Sequence, residues 1–449
     1  MRSSRLRRAA AWCCAAMLAC ALPSWAALCG DTSGDGFVTS SDALKTLKLA
    51  VTSVYDRRGD VAPIDDRIGA SDALKTLKDA VAGTIPVCRG AAASRAVVTT
   101  AAEDFSSGGF AVVGVASRTF NYRAGSISRD SVMRAPSGVP IVVNRQGFNT
   151  LQFLDVTKKT LPNVKECSVS DGFDSNPQDV VLVSPHKGYV TLYAGGDLLV
   201  IDPAVLFNPS VDAACKTLIT GHIDLSSFDD DGVPEMDQMV MVGTDLFVTL
   251  QLLDFPTPVR PGRVVVIDTT TDTVKGSIPL SFENPFAETK GLQYDEFQNR
   301  IFVGGPGETG LELDDGGIEA INPATMESTG LLVTGADLHA NIFDFVVVGT
   351  RRAFAIVAEH DTESDVDTNS VVDINLQTRT VRNVLLTSTA LITDIEMTEL
   401  GELWVAYRGR TSDDPPGLRI FRISGESVVP ATGAPTALGQ APFTLAFLP

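Results

Sequence analysis

Hydrophobic and polar positions along the chain form two patterns, and the change between them falls near residue 90. Before this point, apolar residues recur at helical spacing in two short segments, residues 41 to 53 and 71 to 83. From about Arg95 onward, short β-rich runs alternate with turn signals, and helical periodicity is almost absent. The chain is therefore predicted to hold a small helical module followed by a large β domain.

The β-rich part repeats about every fifty residues. A hydrophobic strand recurs seven times, and each copy is followed by a second strand that usually ends in a turn. The copies of the first strand are AVVTTA (96 to 101), PIVVNR (140 to 145), YVTLYA (189 to 194), LFVTLQ (246 to 251), IFVGGP (301 to 306), AFAIVA (353 to 358) and LWVAYR (403 to 408). Seven such pairs, each with two more variable strands, predict a seven-bladed β-propeller.

The two ends of the repeat region predict how the ring closes. The repeat begins at Ala96 on the second strand of a blade, and the chain stops at APFTLAFLP, a single copy of the innermost strand. That last strand should complete the first blade. An open sandwich or several small β domains would explain neither the seven registers nor the complementary ends. The stretches VVVIDTTTDTV and NPQDVVLVSPHKGYVTLYAG resemble YVTN-type and related lactonase-like propellers, across nearly all of residues 91 to 449.

One polar feature recurs in register within the repeats. Four blades carry an Asp ten residues before the aromatic residue of the repeated strand: Asp179, Asp237, Asp344 and Asp394. This register places an Asp at the start of the innermost strand, around the mouth of the central channel. Such a ring could bind a cation or a polar ligand of unknown identity. We favour the alternative, in which each Asp accepts backbone amides from the neighbouring blade, as in WD-repeat proteins.

The two helical segments share eight residues, SDALKTLK, thirty positions apart. In the first copy, lysines lie opposite a stripe of apolar residues, which are Ala43, Leu44, Leu47, Ala50 and Val51. This spacing predicts two amphipathic helices that pack on each other.

The loop before the first helix carries oxygen atoms at the spacing of a calcium loop. Gly36 stands at position 6, where the chain turns sharply, and the carbonyl of Phe37 stands at position 7. The side chains at positions 1, 3, 5, 9 and 12 are Asp31, Ser33, Asp35, Thr39 and Asp42. Because calcium takes six to eight hard oxygen ligands, the full spacing favours calcium over a metal-free surface turn.

The loop before the second helix matches this spacing less well, because it is one residue longer between Asp60 and Asp72. Asp65, the carbonyl of Arg67 and Asp72 still match positions 5, 7 and 12. Asp60 can provide the first ligand only if the extra residue, near Pro63, bulges out. A second calcium and a metal-free loop therefore remain equal alternatives.

These two loop-helix units, each ending its ligand set in an Asp at position 12, resemble a type I dockerin across residues 29 to 88. The resemblance implies a cohesin-like protein as partner. It also implies that near two-fold symmetry lets either helix face this partner. The residues that would select the partner, at positions 10 and 11 of the units, are Ser40, Ser41, Ala70 and Ser71.

The N-terminus reads as a secretory signal, residues 1 to 26. Its start, MRSSRLRR, holds four arginines and no acid, a short apolar run follows, and Ser24-Trp25-Ala26 offers small residues for cleavage. The apolar run is too short for a membrane span, and lipidation at Cys20 is a weaker alternative. We therefore expect an exported protein that is secreted, periplasmic or at the cell surface.

Export changes how the cysteines and the charge are interpreted. The mature chain keeps four cysteines, and the pairing nearest in sequence joins Cys29 to Cys88 and Cys167 to Cys215. Loss of the four signal arginines changes the formal net charge from -19 to -23. This acidity disfavours nucleic acid and anionic membranes as partners and suits calcium.

The sequence carries no recognisable catalytic set. The four histidines share no blade position, and neither a GxSxG motif nor a glycine-rich phosphate loop is present. We therefore favour a mainly β protein with a dockerin-like calcium module (27 to 90) and a seven-bladed propeller (91 to 449). In this interpretation, the module attaches to a cohesin-like protein, and the propeller is a platform that binds a ligand or a protein. The alternatives are a propeller enzyme, either a lactonase-like hydrolase or a polysaccharide-degrading component, and a structural cell-surface propeller.

Overall fold

The computed structural model describes residues 28–62, 67–83, 85–86, 93–124, 127–170, 174–206, 212–308, 315–361, 363–364 and 366–448. The predicted signal peptide, Asp65 and Cys88 lie outside these residues. Within them, none of the helices is long and apolar enough to cross a bilayer.

In the described part of the chain, thirty strands form seven four-stranded antiparallel sheets and one two-stranded hairpin. The sheets are the blades of a seven-bladed β-propeller, as the repeats predict. Each blade takes four strands that follow one another in the chain, except that blade 1 includes the last strand and blade 4 holds the small hairpin as an insertion.

The strands of the first four blades, innermost strand first, have the following bounds. Blade 1 holds β30 (Ala441–Leu448), β1 (Arg95–Ala101), β2 (Gly108–Gly114) and β3 (Phe120–Ala124). Blade 2 holds β4 (Ser131–Arg134), β5 (Ile141–Asn144), β6 (Thr150–Leu154) and β7 (Asn163–Ser168). Blade 3 holds β8 (Pro177–Ser184), β9 (Lys187–Leu192), β10 (Asp197–Ile201) and β11 (Ile219–Asp224). Blade 4 holds β12 (Met236–Val242), β13 (Asp245–Leu250), β16 (Pro261–Asp268) and β17 (Thr273–Glu283), with the hairpin β14 (Leu253–Asp254) and β15 (Thr257–Pro258).

The last three blades follow in the same order. Blade 5 holds β18 (Leu292–Asp295), β19 (Arg300–Gly305), β20 (Gly317–Asn322) and β21 (Glu327–Thr334). Blade 6 holds β22 (Asn341–Gly349), β23 (Arg352–Asp361), β24 (Val366–Asn375) and β25 (Thr380–Ser388). Blade 7 holds β26 (Ile392–Met397), β27 (Glu402–Tyr407), β28 (Gly417–Ser424) and β29 (Ser427–Pro430). The α-helices are α1 (Ser40–Thr52), α2 (Ala70–Ala82) and the short α3 (Gly335–Leu338).

The ring closes through β30, which pairs antiparallel with β1, the first strand of the β domain. The hydroxyl oxygens of Thr99 and Thr444 lie 2.8 Å apart across this pair. The core continues across the junction, because Trp404 of blade 7 is fully buried in one apolar cluster with Ala96 and Leu445 of blade 1. The predicted role of the last strand is confirmed.

A disulfide joins neighbouring blades at their outer edges. Cys167 of β7 and Cys215, just before β11, are bonded with their Cα atoms 5.4 Å apart, which confirms this predicted pair. Cys29 is also disulfide-bonded. Its predicted partner, Cys88, lies outside the described residues.

Helices α1 and α2 pack on each other, as predicted, but only the alanines of the predicted apolar stripe face the interior, Ala43 fully and Ala50 in part. The buried positions of α1 are Asp42, Ala43 and Thr46, and α2 repeats this pattern one unit later. Leu44 and Leu47 of α1, and Leu74 and Leu77 of α2, face solvent instead. A small module has little interior, and its loops pack against the inner side of the helices. For example, the hydroxyl of Thr32 donates to the carbonyl oxygen of Asp42 at 3.0 Å.

The helical module is fixed to one face of the propeller. Arg57 forms ion pairs with Glu296 (3.3 Å) and Glu399 (2.6 Å), which lie in the turns that follow β18 and β26. The guanidinium carbon of Arg58 lies 4.0 Å from the ring centre of Phe297. These turns all join an innermost strand to the next strand of its blade, and this side of the ring is called the module face below.

The first predicted calcium loop contacts the equivalent turn of blade 6. The amide of Thr350 donates to the carbonyl of Gly34 at 2.9 Å, and Arg351 pairs with Asp35 at 3.0 Å. The ring of Phe37 lies 4.9 Å from the guanidinium carbon of Arg352. Since Arg352 is itself fixed by a fully buried ion pair with Asp373, the loop rests on a rigid support.

A methyl group at Gly349 is expected to break this contact. The Cβ of Gly349→Ala would lie 2.2 Å from the backbone nitrogen of Gly36, so the loop must move. We expect a cost of about 1–3 kcal/mol, visible as a lower Tm and faster proteolysis of the module. Gly433→Ala is the matched control, because a Cβ there meets nothing within 4 Å. Equal Tm values for the two variants would contradict the contact.

Candidate functional site

The predicted ligands of the first calcium loop converge. Carboxylate oxygens of Asp31, Asp35 and Asp42 all lie within 4.8 Å of one another. Asp31 and Asp42 are almost completely buried, and Asp35 is partly exposed. Three carboxylates at this distance repel one another unless a cation or a proton offsets their charge.

Backbone amides of the loop turn inward to these carboxylates. Asp31 accepts the amides of Gly34 (2.6 Å) and Gly36 (2.7 Å), and Asp42 accepts those of Ser33 and Thr39, each at 2.8 Å. Burial, followed by the charge of Asp42, raises the pKa of Asp31 to about 7. The amides hold the carboxyl groups in place, but they do not remove the repulsion between them.

The donor set fits calcium. Three hard carboxylates converge, and Gly36 at position 6 has φ +91°, the left-handed conformation in which that position turns the loop. When bound, a calcium ion would neutralise the carboxylates and tie the two ends of the loop together. Asp31, Asp35 and Asp42 would hold it, with Ser33, Thr39 and the carbonyl of Phe37 as the remaining predicted ligands.

The second loop is only partly described. Asp60 and Asp72 are buried, and Asp72 accepts the amides of Ala62 and Gly69, both at 2.7 Å. Arg67 is exposed, and Asp65 lies outside the described residues. Within the described part of this loop, no cluster of three possible metal ligands forms. The second calcium stays a prediction.

The predicted partner-selecting residues, Ser40, Ser41, Ala70 and Ser71, are all exposed at the starts of α1 and α2. Beside them lies a surface that the sequence analysis missed. Each helix exposes two leucines and a valine at equivalent positions: Leu44 (70 %), Leu47 (42 %) and Val51 (79 %), and Leu74 (52 %), Leu77 (39 %) and Val81 (83 %). The duplicated pattern LxxLxxxV could have revealed this surface, but its residues were interpreted as the packing faces between the two helices.

The four predicted channel aspartates lie near the starts of innermost strands β8, β12, β22 and β26, as the register predicts. All four are buried. Three accept an amide from the next innermost strand: Asp179 from Met239, Asp344 from Ile395, and Asp394 from Leu445. This arrangement agrees with the favoured interpretation, in which each Asp accepts backbone amides from the neighbouring blade.

One hydroxyl joins two of these carboxyl groups. The Oγ1 atom of Thr289 lies 3.1 Å from Asp344 and 2.8 Å from Asp394. A hydroxyl has a single proton to donate, which it gives to one of these oxygens or shares between the two. Burial raises the pKa of Asp344 to about 7, and burial, followed by the charge of Asp344, raises the pKa of Asp394. Both carboxyl groups therefore favour their protonated forms more than a free aspartic acid does.

A cavity of about 250 Å³ occupies the channel. Its inner end is polar, with Arg134, Gln238 and Lys290. Towards the module face its walls are mostly apolar. The two cations are already paired, Arg134 with Asp179 at 2.9 Å and Lys290 with Glu396 at 2.5 Å.

No protein-family model and no curated protein matches the chain. Among solved structures, the chain is similar to a protein of Bacteroides fragilis assigned as a 6-phosphogluconolactonase, at 12% identity, over 79% of this chain and 98% of that chain, with a TM-score of 0.48. It is also similar to a streptogramin B lyase, at 12% identity, over 70% and 91%, with a TM-score of 0.44. Likenesses this distant say nothing about the activity of this chain.

Protonation of Asp237 is expected to make stability depend on pH. Burial raises its pKa from 3.8 to about 7. The folded chain therefore binds this proton more tightly than the unfolded chain, and stability falls as the pH rises from about 4 to about 7. Between pH 5 and pH 8 we expect a loss of about 3 kcal/mol, since each unit of pKa difference corresponds to about 1.4 kcal/mol. The measurement is Tm at pH 5 and pH 8, and Asp237→Asn should shrink the difference.

Asp230→Asn provides the control for this experiment, because the side chain of Asp230 is fully exposed. It should keep the pH dependence of the wild type. If Asp237→Asn also keeps it, Asp237 is ionised throughout and the argument from burial fails.

Proposed function

We propose that this chain is an exported calcium-binding protein that attaches to a cohesin-like partner through its helical module. The propeller acts as a platform for a ligand or a second protein. The observation that carries the proposal is the pair of equivalent exposed apolar faces, one on α1 and one on α2. Exposed clusters of large apolar side chains on a soluble domain are typical of interaction surfaces.

The charge around the apolar faces supports a protein partner of acidic or mixed character. Lys45 and Lys48 flank the face of α1, and Lys75 and Lys78 are the equivalent residues of α2. Lys75 is held by an ion pair with Asp79, four residues later. The two faces therefore share an apolar centre with a basic rim, and either could bind the same partner.

Calcium supports the docking surface through the loop that begins α1. Asp42 is both a predicted ligand and a residue of the first turn of α1, so a bound ion would fix the start of this helix. The loop also contacts blade 6, so the module would present its faces in a fixed direction relative to the propeller.

The platform role of the propeller is supported by how its channel carboxyl groups are used. Asp179, Asp344 and Asp394 hold neighbouring strands together, and Glu396 is paired with Lys290. These contacts give each group a role in holding the fold together, so its burial does not require a catalytic role. We therefore place binding ahead of catalysis for this domain.

Calcium binding is tested on the full chain after removal of metal with a chelator. Isothermal titration should show at least one site with a Kd below about 1 mM. Calcium at about 100 times Kd should stabilise the fold by about 2.7 kcal/mol. Asp31→Ala combined with Asp42→Ala should remove one site, whereas Asp230→Ala should remove none. Unchanged stoichiometry in the double variant would contradict the assigned loop.

Docking is tested with a panel of purified cohesin domains and immobilised full-length protein. Leu44→Glu and Leu74→Glu should each weaken binding only a few-fold, because one intact face remains. The two together should weaken it at least 100-fold. Val429→Glu, at an exposed position of the propeller (43 %), is the matched control and should bind as the wild type does. A panel in which no cohesin binds the wild type would overturn this choice of partner.

A further inference from the structure

A second cavity lies on the propeller face opposite the module. It has a volume of about 350 Å³ and lies where blade 7 meets blade 1. Its walls come from the segment after β27, the start of β30 and the loop after β1. Because β27 runs away from the module face, the residues that follow it lie on the far side of the ring. The pocket is therefore separate from both the docking module and the channel cavity.

A buried arginine in this pocket has no carboxylate partner among the residues that the structure describes. Arg408 is only 5 % exposed, and its guanidinium donates to the backbone carbonyls of Ala102 (3.0 Å), Ala441 (3.4 Å) and Pro442 (3.3 Å). Burial, followed by the charge of Arg410, lowers its pKa from the usual value. Three contacts leave at least two of the five N–H donors of a guanidinium group unused.

The other buried arginines in the described part of the chain show how unusual this is. Arg58, Arg134, Arg145 and Arg352 are each paired with an aspartate, at 2.8, 2.9, 2.5 and 2.7 Å respectively. Among the described residues, Arg408 alone is buried without such a pair. A buried charge without an ion-pair partner is costly. The chain has a net charge of -19, so acidic side chains that could pair with Arg408 are abundant in the sequence.

Two neighbours extend this positive site. Arg410 also lines the pocket and is exposed, with no hydrogen bond or ion pair to a described residue. Phe105 lies under Arg408, with the guanidinium carbon 4.6 Å from its ring centre, and is 36 % exposed. Phe105 has φ +52°, a conformation that costs a residue with a side chain about 1 kcal/mol or more and often marks functional positions. Glu103 lines the rim but is exposed and forms no ion pair with either arginine.

We propose that this pocket binds a small organic carboxylate. A carboxylate matches the planar N–H pairs of guanidinium groups and supplies the negative charge that Arg408 lacks. The exposed ring of Phe105 offers an apolar surface for the body of the ligand, as an aromatic ring does for the face of a sugar. A sugar acid combines both properties. This inference names a ligand for the platform part of the proposed function and depends on neither calcium nor docking.

The test uses glucuronate, with glucose as the neutral compound of the same shape and sulfate as an inorganic anion. Binding to the full chain is measured by calorimetry and by the rise in Tm. Glucuronate should bind saturably, and glucose and sulfate should each bind at least tenfold more weakly. Sulfate binding as tight as that of glucuronate would overturn the assignment to an organic carboxylate. Failure of glucuronate to bind would overturn the site itself.

Substitution of Arg408 could unfold the ring, because its guanidinium ties β30 to the loop after β1. Arg410→Glu is therefore the principal variant and should weaken glucuronate binding at least tenfold with no fall in Tm in the absence of ligand. Arg379→Glu makes the same charge change at an exposed arginine in blade 6 and should have no effect. Equal affinities in these two variants would contradict the proposal.

The variant with Asp31→Ala and Asp42→Ala separates this inference from the docking proposal. It should lose calcium in the first loop and keep glucuronate binding, since the pocket lies on the opposite face. Loss of glucuronate binding in a variant that stays folded would contradict the independence of the two sites.

Discussion

The pairing of β30 with β1 is the contact on which the rest of this structure depends. It joins residues more than three hundred positions apart, Val97 with Ala446 and Ala101 with Ala441. Until it forms, blade 1 lacks its innermost strand and Trp404 has no opposite wall to pack against. Closure also creates the two faces of the ring. The module face is formed by turns of blades 5, 6 and 7. The pocket around Arg408, called the positive pocket below, forms where the start of β30 lies next to the end of β1.

Polar groups in the channel reinforce this closure from within. Asp394 accepts an amide of the closing strand, and Thr444 accepts the amide of Met133 on the next blade. A buried carboxyl group loses hydration, and these amides recover part of that loss. The raised pKa of Asp237 shows that the recovery is incomplete. The buried carboxyl groups of the channel therefore lower the stability of the fold near neutral pH, while their hydrogen bonds fix the order of the strands.

The fixed module has a consequence for how this protein would meet a partner. A module on a flexible tether samples many directions, whereas here Arg57, Phe37 and Cys29 hold it against three blade turns. The apolar faces of α1 and α2 stay exposed when the module is held in this way. A bound partner would therefore occupy a defined place beside the channel, with the positive pocket on the far side of the ring.

The sequence by itself determined the elements whose signals are local or periodic. The seven strand registers, the closing strand, the Cys167–Cys215 pair and the spacing of Asp31, Asp35 and Asp42 could all be predicted, because each follows from alternation or spacing along the chain. Tertiary structure alone decided which side of a helix is buried. A periodic stripe shows that Leu44 and Leu47 share a face, but it does not say whether another element covers it. The pocket around Arg408 was equally hidden, since Phe105, Arg408 and Ala441 are brought together only by ring closure. That Arg408 has no carboxylate partner among the described residues is likewise a property of the packed chain.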